Sequence, residues 1–413
     1  MRKPETISEV VENGLCIGCG LCEFLAEKLT MHWEDGNVLR PIGEVTAQEQ
    51  EKILQACPGA VVSANLEKDA SLDLVWGAWH KLIMAWSAEP EVRHQASTGG
   101  VLTALGRYAL KSGIAEFVLH AGPHKTEPLL SDWVISETPE EVLANSGSRY
   151  APVAVLAGLR KALSRQEPFV IIAKPCDANA VRRLALEDER IDRFCKGIFV
   201  MVCGGASELA KTKDAVTLAG ASSNRVAAFR YRGFGNPGPH RITMKDGSHK
   251  DISYNEMWGD ETGWRLQSRC KICPDPIGEA ADIAASDCWP GGSPSGEDEG
   301  FNGVIVRTKK GIDMFNSAVG ATMIETGRPL TPDDFSQWQP HQVRKSIAIQ
   351  ARLSGLAEAG QPVPELVDLR KQLLSENNSN HDREKLGSKE RAQLGKFREA
   401  SRITVSDVPQ TCH

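Results

Sequence analysis

Three cysteines fall within seven residues in Cys16-Ile17-Gly18-Cys19-Gly20-Leu21-Cys22, and no other stretch restricts what this 413-residue chain can fold into as tightly. Thiolates two residues apart can be directed by one tight loop at three corners of an iron–sulfur cube, with Gly18 and Gly20 relieving the backbone. The fourth corner falls to Cys57, a remote cysteine followed by Pro58, the pattern that closes such sites. A zinc site is one alternative, and unligated structural thiols are another, though thiols this dense are rarely packed without metal.

The sequence holds eleven cysteines, and residues 1–14 lack the apolar stretch of a secretory signal. A disulfide framework is therefore not expected, and the expected location is cytoplasmic, where thiols stay reduced. The longest apolar runs, residues 169–173 and 197–203, are far too short to span a membrane. Lys and Arg number 48 against 54 Asp and Glu, a net charge of −6, so no basic field exists to hold nucleic acid. Hydrophobic residues at 41% with 25% charged residues suit a folded chain of two or three domains.

Along the chain, residues 1–72 read as a compact, loop-rich module. After it the texture changes to strand and helix patterns in turn, which imply pieces of parallel sheet. Helical patterns cover residues 101–110, 152–164, 177–186 and 343–359, and strand patterns cover 115–120, 169–173, 197–202 and 303–307. Residues 227–231 and 241–244 flank the turn-rich 233–239 as a hairpin. The last forty residues are polar and read as partly disordered, so truncation after residue 375 is expected to be harmless.

A second set of cysteines is more scattered. Cys270-Lys271-Ile272-Cys273 supplies two ligands of zinc, dithiol or cluster type, and needs partners from elsewhere. Cys176, after Lys174-Pro175, and Cys203, before Gly204, stand at expected strand ends, where open α/β folds gather their sites. Four thiolates would complete a second cube, whereas an isolated cysteine is more often a small buried hydrophobe. Cys195, Cys288 and Cys412 have no matching spacing and are assigned to packing or, for Cys412, to a surface thiol. Two further turns are candidates for a phosphate or ring: Ser97-Thr98-Gly99-Gly100, opening a helix, and Gly147-Ser148-Arg149-Tyr150, which reads equally well as a capping loop.

In their order and spacing these motifs resemble the beta subunit family of coenzyme F420 hydrogenases and dehydrogenases, which also includes 7-hydroxymethyl chlorophyll a reductase and a divinyl chlorophyllide reductase. The likeness spans roughly residues 10–330. It implies FAD lying on the turns at Ser97, Thr98, Gly99, Gly100 and Gly147, Ser148, Arg149, Tyr150. It also implies a second [4Fe-4S] cluster on Cys176, Cys203, Cys270 and Cys273, beside the first on Cys16, Cys19, Cys22 and Cys57. The long polar C-terminal extension and Cys288 before Trp289 depart from the family pattern.

The fold so implied is α/β: a ferredoxin-like [4Fe-4S] module (1–72), two α/β parts binding flavin and the second cluster (73–165 and 166–330), and a helical, partly disordered extension (331–413). The expected function is an iron–sulfur flavoprotein reductase, passing electrons from ferredoxin or another one-electron donor through two clusters to FAD and on to a small organic substrate. Two rivals stand beside it: an electron-transfer subunit oxidising reduced F420 for a larger complex, and a non-redox zinc-stabilised module. Self-association into a homo-oligomer is left open. His94, His120 and His240 are candidates near the Gly-rich turns, although a lone histidine is more often a satisfied polar residue.

Overall fold

The computed structural model describes residues 1–294, 296–376 and 378–406. Cys412 lies outside the described residues. The centre of the molecule is an eight-stranded sheet whose strands run, edge to edge, Ile324–Pro329, Lys81–Ser87, Asn302–Val306, Ile283–Asp287, Cys195–Met201, Phe169–Ala173, Phe117–Pro123 and Ser131–Ser136. The strands starting at Ile283, Cys195, Phe169 and Phe117 are mutually parallel, and those outside them pair antiparallel. The sheet is therefore mixed rather than wholly parallel.

The parallel strands are apolar on both faces, as strands covered from two sides must be. Val118, Val170, Phe199, Ile283 and Val304 face one layer, where Ala104, Leu105 and Tyr108 of helix Val101–Lys111 meet Met314, Phe315 and Ala318 of helix Lys309–Gly320. Their neighbours Leu119, Ile171, Val200, Ala284 and Ile305 face the opposite layer, which includes Ala178, Val181 and Leu184 of helix Pro175–Leu184. Helix Val101–Lys111 starts behind Gly100, whose φ of +73° only glycine adopts cheaply. Arg307 is wholly buried and ties the layers together, its guanidinium donating to the carbonyls of Trp76 (3.0 Å), Ala78 (2.8 Å) and Ile277 (2.9 Å).

Most expected elements appear within a few residues of their expected ends. The helix expected over 152–164 is shorter, a 3-10 turn at Val155–Gly158 followed by Leu159–Ser164. The hairpin forms from Val226–Arg230 and His240–Met244 and gains a third strand, His249–Ile252. No helix among the described residues is long and apolar enough to cross a membrane.

The C-terminal extension departs from expectation. Residues 378–406 are built into the fold rather than disordered: helix His381–Gln393 packs on helix Pro340–Glu358, and strand Arg402–Ser406 adds in parallel to Val38–Thr46. Strand Glu365–Val367 likewise pairs with Val61–Ser63. One apolar core holds Ile7, Val10, Leu15 and Ile53 from the start of the chain with Ile349, Leu353, Leu356, Ala392 and Phe397 from its end. The segment is polar overall because only a narrow stripe of it, Ser388, Ala392 and Phe397, is buried. Removing residues 395–413 deletes Phe397, the added strand and Glu399, the partner of the buried Arg40, so we expect destabilisation of at least about 3 kcal/mol, the scale of losing a buried aromatic side chain alone. Urea denaturation of the truncated chain against the full chain measures it.

Candidate functional site

The loop bearing the first cysteine set leaves helix Ile7–Glu12 and turns twice through left-handed glycines, Gly18 (φ +72°) and Gly20 (φ +88°). A Cβ at Gly18 would lie 2.5 Å from the carbonyl oxygen of Leu39, and one at Gly20 would lie 2.6 Å from the amide of Ala157. No other residue fits either position. Cys57 ends helix Ala47–Ala56, whose start is fixed by a reciprocal Thr46–Glu49 cap. Cys16, Cys19, Cys22 and Cys57 thereby line one cavity of ≈ 350 Å³. The amide of Gly18 donates to Cys16 Sγ (3.4 Å) and that of Gly59 to Cys57 Sγ (3.4 Å).

The second set is assembled by the sheet. Cys176 follows strand Phe169–Ala173 and Cys203 follows Cys195–Met201, and these strands pair in parallel. Pro175 opens helix Pro175–Leu184, and the buried Asp177 binds back to the Lys174 amide (3.2 Å) and ammonium (2.7 Å). The Cys203 amide donates to Pro276 O (2.8 Å), drawing in the loop after Cys273, while the Ala206 amide donates to Cys270 Sγ (3.2 Å). Cys176, Cys203, Cys270 and Cys273 line a cavity of ≈ 390 Å³ whose wall also includes Lys174, Arg269, Asp275 and Lys345.

The two cavities adjoin. Ile17 lines both, and Arg269, in the wall of the second, donates to the carbonyl of Pro58 in the wall of the first (2.7 Å). Burial pushes the thiols up in both sets: Cys57 to about 11, with Cys16 adding to the rise, and Cys203 to about 12, with Cys270 adding to it. Cys19, Cys22 and Cys176 are likewise held well above the ordinary thiol value, chiefly by burial. Thiolates in such walls require a cationic group between them.

Among the described residues no group of three or more His, Cys, Asp or Glu side chains is gathered as it would be round a single metal ion. Four sulfurs about 2.3 Å from one zinc would lie within about 4 Å of each other, whereas a cube of iron and sulfur must fit between its ligands. Two walls of four thiols round a cavity, with amides aimed at sulfur, fit the larger group. Cys195 lies at the opposite end of its strand from Cys203, and Cys288 is buried against Gly303.

The two polar turns meet each other at the same end of the sheet. The Ser148 amide and hydroxyl contact Ser97 Oγ at 2.9 and 3.1 Å. Thr98 Oγ1 bonds Asp287, at the end of strand Ile283–Asp287, and Asp287 in turn pairs with the buried Arg232 (3.1 Å). Gly99 sits so close to Phe301 that a Cβ would come within 2.8 Å of its Cα. Arg149 is turned to Ser131 (2.7 Å) and the carbonyl of Leu130 (3.1 Å), while Tyr150 packs on Trp258 at 4.6 Å.

Sequence reasoning missed Arg232, Asp287, Lys174 and Lys345. Asp287 was hidden because its strand was not foreseen, and Lys345 because it arrives from the extension. His120 is a satisfied core residue, bonded to Ser136 Oγ (2.8 Å) and pushed down to about 4 by burial. His94 meets Phe234 edge-on. His240 is fully buried with both ring nitrogens unpartnered, and the indole N–H groups of Trp258 and Trp289 are unpartnered too.

The N-terminal model of the coenzyme F420 hydrogenase/dehydrogenase beta subunit matches residues 82–160, and the C-terminal model matches 167–331. The F420-dependent formate dehydrogenase 1 subunit beta of Methanococcus maripaludis is 26% identical over 253 residues, 59% of this chain and 60% of that one. The coenzyme F420 hydrogenase subunit beta of Methanothermobacter thermautotrophicus is 24% identical over 306 residues, 70% of this chain and all of its own length. The coenzyme F420-dependent sulfite reductase of Methanocaldococcus jannaschii is 23% identical over 326 residues, 75% of this chain but 47% of the relative. The chain thus spans about half to all of the curated relatives it matches. A chain in the xenon-derivatised F420-reducing [NiFe] hydrogenase complex from Methanosarcina barkeri shares the fold, with a TM-score of 0.53 and 22% identity over 67% of this chain and 92% of that one. With family models matching more than half of its length, the chain belongs to the coenzyme F420 hydrogenase/dehydrogenase beta subunit family.

Proposed function

We propose that this protein is an iron–sulfur flavoprotein oxidoreductase linking one-electron carriers to a two-electron organic partner. The observation that carries the reading is the pair of adjoining cavities, each walled by four buried or half-buried thiols, at the end of the sheet where the two polar turns meet. When bound, iron–sulfur cubes supply single-electron transfer and a flavin exchanges two electrons with an organic molecule.

The chain's own residues have separable tasks in this reading. Cys16, Cys19, Cys22 and Cys57 hold one cube, and Cys176, Cys203, Cys270 and Cys273 hold the other. Ile17 and Arg269 keep water from the wall between them. Ser97, Thr98, Gly99 and Gly100 with Gly147, Ser148, Arg149 and Tyr150 form the FAD cradle. Residues 1–72 then act as a ferredoxin-like module, 73–165 as the flavin-binding part, 166–330 as the part carrying the second cluster, and 331–413 as an extension.

The names of the relatives favour F420 as the organic partner, within a larger assembly. A second reading keeps ferredoxin as the donor and a small organic molecule as the acceptor, favoured by the presence of both thiol sets in one chain. Rapid mixing of anaerobic protein with reduced F420 and, separately, with reduced ferredoxin decides between them: we expect bleaching of the flavin band by F420 on the faster timescale.

Two composition tests follow. Anaerobically purified protein should be brown, contain about eight iron atoms per chain as two four-iron cubes, and release FAD on denaturation. Stoichiometric zinc without iron sinks the proposal. Cys176→Ser should lower iron toward half, because a hydroxyl is a far poorer iron ligand, while Cys195→Ser keeps full iron. Iron analysis with electron paramagnetic resonance reads both, and the reverse pattern would show the ligand assignment to be wrong.

A further inference from the structure

The C-terminal extension, which lies beyond residue 331 where the family match ends, reaches the wall of the second thiol cavity and the strand that borders the first, and brings a charge of opposite sign to each. At the second cavity the charge is Lys345, on helix Pro340–Glu358. Its ammonium donates to the carbonyl of Gly204 (3.3 Å), next to Cys203, and among the described residues it pairs with no carboxylate. One turn away, Gln342 fixes the helix here by donating to the carbonyl of Cys203 itself (2.9 Å). Beside the first cavity, whose wall includes Pro41, the charge is Glu399, which takes the neighbouring buried Arg40 in two bonds, from Nε (2.5 Å) and Nη2 (3.0 Å). Arg40 stands between Leu39, which abuts Gly18 of the cysteine loop, and Pro41 of the cavity wall, and Glu399 is held there by its own amide on the carbonyl of Glu12 (2.9 Å).

The remaining charges do not cancel this pattern. Lys174 and Asp177 neutralise each other in the wall of the second cavity. Arg269 lies between the two cavities, bonded to carbonyls on both sides, and so acts on both. Asp275, also in the second wall, is turned away to the amide of Glu279 at 2.9 and 3.0 Å, on the side where the cations of Arg307 and Lys371 act on its charge. That leaves Lys345 as an unpaired cation at the second site and Glu399 as the anion that silences a cation at the first.

We propose that the extension sets the order of reduction potentials in this protein, Lys345 raising that of the centre held by Cys176, Cys203, Cys270 and Cys273, and Glu399 lowering that of the centre held by Cys16, Cys19, Cys22 and Cys57. The physical basis is that adding an electron adds negative charge, which a nearby cation favours and a neutralised one does not, and net charge and exposure are what tune thiolate-held iron–sulfur centres. The electron then rests preferentially at the second site, on the side of the sheet where the polar turns lie. No proton, bond or further reactant is involved, since one centre loses the electron the other gains.

This inference rests on the proposed function, and the experiment separates the two. A redox titration of the full chain, followed by electron paramagnetic resonance, is run on the unaltered protein and on Lys345→Met, Lys345→Arg and Glu399→Gln. Two resolvable midpoints are expected in the unaltered protein. Lys345→Met should lower the upper one by about a tenfold change in the oxidised-to-reduced ratio at fixed poise, equal to 59 mV for one electron. Lys345→Arg should leave it in place. Glu399→Gln should raise the lower midpoint, so that both charge-removing variants narrow the gap. If both midpoints stay fixed in Lys345→Met, or the gap widens, the extension does not order the potentials. An absence of iron-based signals in the unaltered protein overturns the function itself and this inference with it.

Discussion

The parallel pairing of Phe169–Ala173 with Cys195–Met201 is the interaction on which the rest of the site depends. Its register sets Ala173 against Val200, so the two chains leave the sheet side by side and deliver Cys176 and Cys203 to one place. Buried on both faces, these strands have no freedom to slip, since a one-residue shift would turn Val170 and Phe199 from one apolar layer into the other. The loop of Cys270 and Cys273 is then not free to lie elsewhere, because the Cys203 amide holds Pro276 and the Ala206 amide holds the Cys270 sulfur. Arg269, on the same loop, reaches Pro58 and so sets the distance between the second cavity and the first.

Burial gives these thiols their character. In such walls a lone thiolate is costly, which is why desolvation leads the causes that push Cys57 and Cys203 up. Four buried and four half-buried cysteines in two walls would be a poor use of these positions if they served only as small hydrophobes, a role that alanine or valine fills without a polar atom. The amides of Gly18, Gly59 and Ala206 aimed at sulfur point the same way, since an amide gains most from a sulfur that carries charge.

Much of this was legible in the sequence, for identifiable reasons. The cluster loop announces itself because its spacing is local, and Gly18 and Gly20 are required by contacts that leave no room for a Cβ. Strand Phe169–Ala173 was read with its observed bounds, because a buried parallel strand is a short apolar run with sharp ends. Strand Ile283–Asp287 escaped: its Ala284, Ala285 and Ser286 carry little hydrophobic signal, although the sheet buries them all. With it went Asp287, and so the contact that joins Thr98 to Arg232. The convergence of Ser97 with Ser148, 51 residues apart, is a tertiary fact that no periodicity encodes.

The extension shows why polar composition misleads. Residues 371–402 look unfit for a core, yet the first core is incomplete without them, and the reason is electrostatic as much as apolar. Arg40 is 3% exposed, and among the described residues its hydrogen bonds other than those to Glu399 go to the carbonyl of Leu39 and the side chain of Gln267. Breaking a buried pair by removing one partner costs about 3–5 kcal/mol, because the remaining charge stays out of water without compensation. Strand Val38–Thr46 therefore carries in its own sequence a demand for an anion that the first 394 residues do not meet in this fold, and Glu399 meets it. The tail is held by that demand, by Phe397 on the loop before Cys16, and by the ladder of Arg402–Ser406, so its position beside the first cysteine loop follows from the same burial that shapes that loop.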